Sequence, residues 1–154
     1  MVVIAATSLL AGCASAPRPG GAPGAGGAAS QPGAPGSPTS SGAVTAFLAA
    51  AQSADARTMS AYFGTRAGPT TTRDPAADVE KRMIALACYL QHDGARVLGD
   101  VPGVADAGDR TVAVELRQRE LVRQTRFTVV PGPGGRWFVQ AFDIDAVSDL
   151  CRPR

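Results

Sequence analysis

The run Val112-Ala113-Val114-Glu115-Leu116-Arg117 sets the fold class. Val112, Val114 and Leu116 fall on one side of a period of two, and Ala113, Glu115 and Arg117 on the other. That alternation predicts a half-buried antiparallel strand with one face on a core and one in water. C-terminal to it, Phe127 and Val129 belong to a further strand, entered through residues 119–122. Pro131-Gly132-Pro133-Gly134-Gly135 is turn chemistry, and residues 137–144 predict the last strand, apolar on both faces in places. Between Trp137 and Phe138, one ring is expected in the core and the other at a sheet-face interface. N-terminal to the run, residues 95–101 predict a first strand and residues 102–109 a loop.

Before Gly94 the period is helical. Ser40 and Ser41 are candidate caps for a helix in which Val44, Phe47, Leu48 and Ala51 recur at i, i+3, i+4, i+7. Asp55 is a cap for a short second helix carrying Met59, Tyr62 and Phe63, ended by Gly64. Asp74-Pro75 predicts the start of a third, with the carboxylate capping and the proline in the first turn. This helix should run to about Gln91, with Val79, Met83, Leu86 and Leu90 on one face, Ile84 and Cys88 beside it, and Gly94 as its stop. Two to three helices followed by a four-stranded meander predict an α+β fold, with the helices on one face of a curved antiparallel sheet.

The N-terminal third has a different character. Residues 2–10 are an apolar run too short to span a bilayer core of about 30 Å as a helix. They end in Leu10-Ala11-Gly12-Cys13, and residues 14–42 are almost all Ala, Ser, Pro, Gly, Gln and Thr. Such a tract cannot bury enough surface to offset the entropy of ordering, so it reads as a linker with a reach of roughly 30 Å as a flexible coil. The order of apolar run, small residues and cysteine resembles a bacterial lipoprotein signal peptide. The resemblance implies cleavage before Cys13 and a thioether to diacylglycerol on its sulfur. It also implies residence on the cell envelope, with the outer membrane favoured in a two-membrane host because Ala14 is not the inner-membrane retention residue. At about 0.8 kcal/mol per buried methylene, two or three acyl chains hold a protein stably on a membrane. No Lys or Arg precedes Arg18, so either the start lies upstream or the α-amino group alone supplies the charge of the leader. The expected organisation is a signal peptide at 1–12, lipidated cysteine and linker at 13–42, and one domain at 43–154.

That last segment carries thirteen Arg and one Lys against thirteen acidic residues, within a whole-chain net charge of +2. The balance argues against nucleic acid as a partner. Cys88 and Cys151 remain as an even pair in an oxidising compartment, and a disulfide between them is expected in so small an exported domain. The helix pair around Ala54-Asp55, the third helix and the ending Phe127-Thr128-Val129-Val130 … Gly135-Arg136-Trp137-Phe138-Val139 resemble the nuclear-transport-factor-2-like (cystatin-like cone) superfamily, and within it small bacterial lipoproteins. The resemblance implies a cone-shaped cavity between sheet and helices, and a homodimer formed through the sheet. It implies no single function, since members include isomerases, dehydratases and non-catalytic binding domains.

Candidate chemistry is sparse. His92, the sole histidine, has no partners for a metal site or a nucleophile triad, and is expected to meet the last carbonyls of the third helix. Tyr62, Tyr89 and Asp143 are the candidate pocket for an isomerase, which needs a carboxylate base and a phenol for an enolate. Arg117, Arg119, Arg123 and Arg126 are a candidate anion-binding cluster, although Glu115 and Glu120 interleave with them and favour cross-strand pairs. No cofactor or metal is expected. The expected function is a membrane-tethered envelope lipoprotein whose domain binds a protein partner or small apolar ligand without catalysis. The alternatives are a cone-pocket isomerase or dehydratase and a wall-associated structural lipoprotein.

Overall fold

The computed structural model describes residues 34–104 and 108–151. Cys13 and the leader therefore lie outside the described residues. The chain forms α1 (Ser40–Gln52), α2 (Ala56–Tyr62), a two-residue hairpin of β1 (Gly64–Thr65) and β2 (Gly68–Pro69), and α3 (Ala76–Tyr89). Four antiparallel strands follow in sequence order: β3 (Gly94–Pro102), β4 (Arg110–Gln118), β5 (Leu121–Pro131) and β6 (Trp137–Phe142). A 3-10 segment, Asp145–Cys151, closes the described fold. The architecture is α+β, as the alternation in β4 and the helical spacing before Gly94 predict.

One face of the sheet is dry. Val112, Val114 and Leu116 of β4 are fully buried, beside Phe127 and Val129 of β5 and Val139 of β6. Cross-strand pairing puts them in rows: Val112 faces Phe127, and Val129 faces Val139. Phe127 also meets Phe142, with ring centroids 5.3 Å apart. Helix α1 lies across this face and contacts all four strands. It can do so because its buried stripe mixes Ala43, Ala50 and Ala51 with Val44, Phe47 and Leu48. The small residues let the backbone approach, and the large ones fill the rows between strands. Phe47 reaches Phe63 beyond α2, at 5.7 Å between centroids. Helix α3 packs on α1, α2 and the C-terminal 3-10 segment through Val79, Met83 and Ala87. Ile84, adjacent to that stripe in sequence, is 57% exposed.

Three helix-boundary expectations are corrected. The cap of α1 is Thr39, whose Oγ1 accepts from the Gly42 N–H at 3.1 Å. Ser40 instead donates its hydroxyl to Asp100 of β3. Asp74 does not cap α3. Pro75 occupies the cap position in an extended conformation, its carbonyl takes the N–H groups of Asp78 and Val79, and Asp74 pairs with Arg82 at 3.0 Å. Proline offers no side-chain acceptor, so the backbone carbonyl does this work alone. Helix α3 ends at Tyr89, and Gly94 opens β3 instead of terminating the helix.

The two sheet edges differ. At β6, Ser37 exchanges backbone hydrogen bonds with Trp137 (3.0 and 2.7 Å), and Phe63 pairs with Val139. The fold thus reaches back to Ala34, into the tail of the segment whose composition reads as linker. Arg136 fastens the approach by donating to the carbonyls of Pro35 and Ala34. Trp137 is half-buried against the core, whereas Phe138 is buried on the opposite face beside Val130. What covers Phe138 is the chain itself: its ring lies against Gly36 and Gly132. Among the described residues, edge strand β3 has no such backbone pairing on its outer side, and Val97, Leu98 and Val101 are 39–55% exposed along it. Register shifts at Val97/Gly99 and at Thr128/Val129 bend the sheet, as bulges do.

Gly36 has φ +72, and a Cβ there would sit 2.8 Å from the Phe138 ring. Gly36→Ala therefore combines backbone strain with a clash and should cost about 1–3 kcal/mol in chemical denaturation. An unchanged denaturation midpoint would show that residues 34–37 do not dock.

Candidate functional site

The expected arginine cluster does not form one patch. Arg117 lies on the solvent face of β4 and binds the Glu115 carboxylate at 3.0 Å, together with Arg96 directly across in β3 at 3.4 Å. This is the cross-strand pairing that the interleaved charges favour. Arg123 projects from the opposite face and pairs with Asp149 of the 3-10 segment. Arg126 lines a shallow cavity of about 310 Å³ with Ala113, Gln124, Thr125 and Asp143. Arg119 sits at the tip of the β4–β5 hairpin.

The expected tyrosine–carboxylate pocket is likewise not gathered at one place. Asp143 follows β6 and accepts the Ala146 N–H at 3.3 Å, which caps the C-terminal segment, while its carbonyl accepts from the Thr125 hydroxyl. Tyr62 and Tyr89 are partly buried against the core, and neither lines the cavity that contains Asp143.

The largest of the cavities described, about 450 Å³, lies elsewhere, where the C-terminal ends of α1 and α3 meet the β4–β5 hairpin. Gln52 ends α1 and Ala54 follows it, Gln91, His92 and Asp93 follow α3, Gln118 and Arg119 come from the hairpin, and Leu150 from the 3-10 segment. A second cavity of about 250 Å³ shares Gln52, His92 and Asp93 with it and extends toward β3. The wall between them is built by hydrogen bonds. Gln52 Nε2 donates to the carbonyls of His92 (3.3 Å) and Asp93 (3.5 Å). The Asp93 carboxylate accepts the Arg119 N–H at 2.6 Å, and the Asp93 N–H donates to the Arg117 carbonyl. His92 is 8% exposed, with Nδ1 2.7 Å from the Leu90 carbonyl. That is the helix-end role its position predicts. Of the other residues here, only Arg119 is a sequence candidate, as an anion binder. Gln52, Gln91 and Gln118 carry no motif, and only folding brings them together.

The far wall depends on a covalent link. Cys88 of α3 and Cys151 form a disulfide, with Cα atoms 4.8 Å apart, as the cysteine count predicts. The link holds Leu150 and Val147 in the core, and Gln118 Nε2 donates to the Leu150 carbonyl at 3.4 Å. Among the described residues, no group of three His, Cys, Asp or Glu side chains is placed to hold a metal ion, and no helix is long and apolar enough to cross a membrane.

Two carboxylates are shifted in pKa. The Thr58 hydroxyl and N–H hold Asp55 below the ordinary carboxylate range at the start of α2 (2.6 and 3.0 Å). The Arg117 guanidinium does the same for Glu115, against a smaller opposing effect of burial. Scans of the chain against protein-family models, curated proteins and solved structures each return no significant match.

Two outcomes follow from this geometry. Reducing the disulfide opens a loop of 63 residues, and unfolding should then require about 4 kcal/mol less, with amide-exchange protection lost first in Asp145–Cys151. Equal denaturation midpoints with and without reductant would contradict this. Because both shifted carboxylates are lowered in the folded state, their contribution is complete above the unfolded pKa, about 4, and is lost as pH falls through the lower folded value. A chain carrying both Asp55→Asn and Glu115→Gln should lose less stability between about pH 5 and pH 2 than the parent; parallel pH curves would overturn the assignment.

Proposed function

We propose that this chain is a lipid-anchored bacterial envelope protein. Its α+β domain is a nuclear-transport-factor-2-like cone that binds a small ligand or a protein partner without catalysing a reaction. The observation that carries the reading is the division of labour among three cysteines. Cys88 and Cys151 are cross-linked, as suits an oxidising compartment, and Cys13 follows an apolar run and Ala11-Gly12. The helices packed on one face of a bulged four-stranded sheet agree with the cone resemblance. The binding role is supported by the polar cavity at the ends of α1 and α3.

A dimer through the outer sheet face, which the resemblance implies, would use the Arg96–Glu115–Arg117 ladder with the exposed Val101 and Val122, because Phe138 and Val130 are already buried, the Phe138 ring against Gly36 and Gly132. No particular observation favours the isomerase or wall-structural alternatives.

The anchor is tested by expressing the full chain in a bacterial host fed an alkyne-bearing fatty acid, then separating membrane from soluble protein. The parent should take up label and sediment with membranes, and Cys13→Ser should lose the label and become salt-extractable. An unlabelled parent, or a labelled Cys13→Ser variant, defeats the proposal.

A further inference from the structure

We infer that the cavity between the ends of α1 and α3 binds a small zwitterion through the ammonium and carboxylate groups of an α-amino acid. This rests on the binding reading of the domain above and names its ligand class. It does not depend on the anchor.

The inner wall is rich in acceptors. Gln52 and Gln118 each spend the amide nitrogen on a backbone carbonyl, which fixes the orientation of both amides and leaves their oxygens as acceptors. The Nδ1 of His92 lies 2.7 Å from the Leu90 carbonyl, so it carries the proton there, and in the neutral ring Nε2 is an acceptor as well. Both helices also present their C-terminal ends at this place, and neither has a basic residue in its last turn. The partial negative charge of the two helix ends thus meets no basic side chain in either last turn, and it favours a cation. An ammonium group, with three N–H donors and a positive charge, matches both features.

The rim supplies the complement. Arg119 carries a guanidinium whose planar fork suits a carboxylate; its backbone has φ +54 in the two-residue turn of the β4–β5 hairpin, and its N–H donates to the Asp93 carboxylate. Ala54, on the same wall, has φ +53. These are the two non-glycine residues with positive φ among the described residues, and both line this cavity. Such strained backbone persists where the surrounding structure over-determines it, and it concentrates at ligand sites. A volume of about 450 Å³ accommodates a free amino acid.

The test uses the full chain in non-ionic detergent, titrated with L-alanine and separately with its two halves, ethylammonium and propionate. Binding is followed by NMR shifts of the Gln52 and Gln118 side-chain amides. L-Alanine should saturate at a concentration at least tenfold below either half. Arg119→Gly removes the guanidinium while suiting the positive φ, and should reduce L-alanine to the affinity of ethylammonium. Gln118→Leu should reduce it to that of propionate. Propionate binding as tightly as L-alanine would make this an anion site and overturn the inference, as would the absence of any saturable shift. Native mass spectrometry of the chain from host membranes separates this failure from that of the binding reading. A bound small molecule that L-alanine does not displace leaves the reading standing and overturns the amino-acid assignment.

Discussion

Everything in this domain depends on one buried seam, where the stripe of α1 meets the dry face of the sheet. Val112, Val114, Leu116, Phe127, Val129 and Val139 present a continuous apolar surface that no single strand could keep from water. Helix α1 covers it, and its alanines set how closely it can lie. Burial of this kind is the main favourable contribution in a domain of this size, and it tolerates neither voids nor excess volume. Once α1 is seated, α2 and α3 have a surface to pack on, and the Asp100 carboxylate ties the start of α1 to β3 through Ser40 and to β4 through Arg110.

The periphery is a set of devices that finish what the seam begins. Residues 34–37 pair with β6 and cover Phe138, so that edge offers little free backbone. At the other end of the helices, the disulfide holds the 3-10 segment against α3. Asp143 caps that segment, and Arg123 reaches Asp149 across it. Edge strand β3 keeps its apolar side chains partly exposed, and its bulge at Val97/Gly99 interrupts the regular ladder that edge-to-edge pairing requires.

The polar cavity lies where three chain segments end together. Helix ends bring carbonyls and partial negative charge, and the β4–β5 hairpin brings Arg119. The strap from Gln52 to His92 and Asp93, and that from Asp93 to Arg119, keep these ends in a fixed arrangement. Such pre-organisation lowers the ordering cost of binding, which is why a cavity built on helix ends and a disulfide is a better site than a mobile loop.

The sequence by itself determined the fold class, the order of the three helices and four long strands, most of the core and the pairing of Cys88 with Cys151. These are legible because hydrophobic period, cap residues such as Asp55 and a cysteine count are local or arithmetic signals. Val44, Phe47, Leu48, Met83 and Val114 are buried where their spacing puts them. Other features were settled only in three dimensions. Ser40 served Asp100 and not its own helix, because the strand that supplies the carboxylate is sixty residues away in sequence. Four arginines that look like a cluster along the chain separated onto two faces and a hairpin tip, because neighbouring residues in a strand point in opposite directions. Gln52, His92, Gln118 and Arg119 carry no shared pattern in the sequence. Their proximity arises from helix packing and hairpin closure, and those depend on contacts between segments that local sequence does not encode.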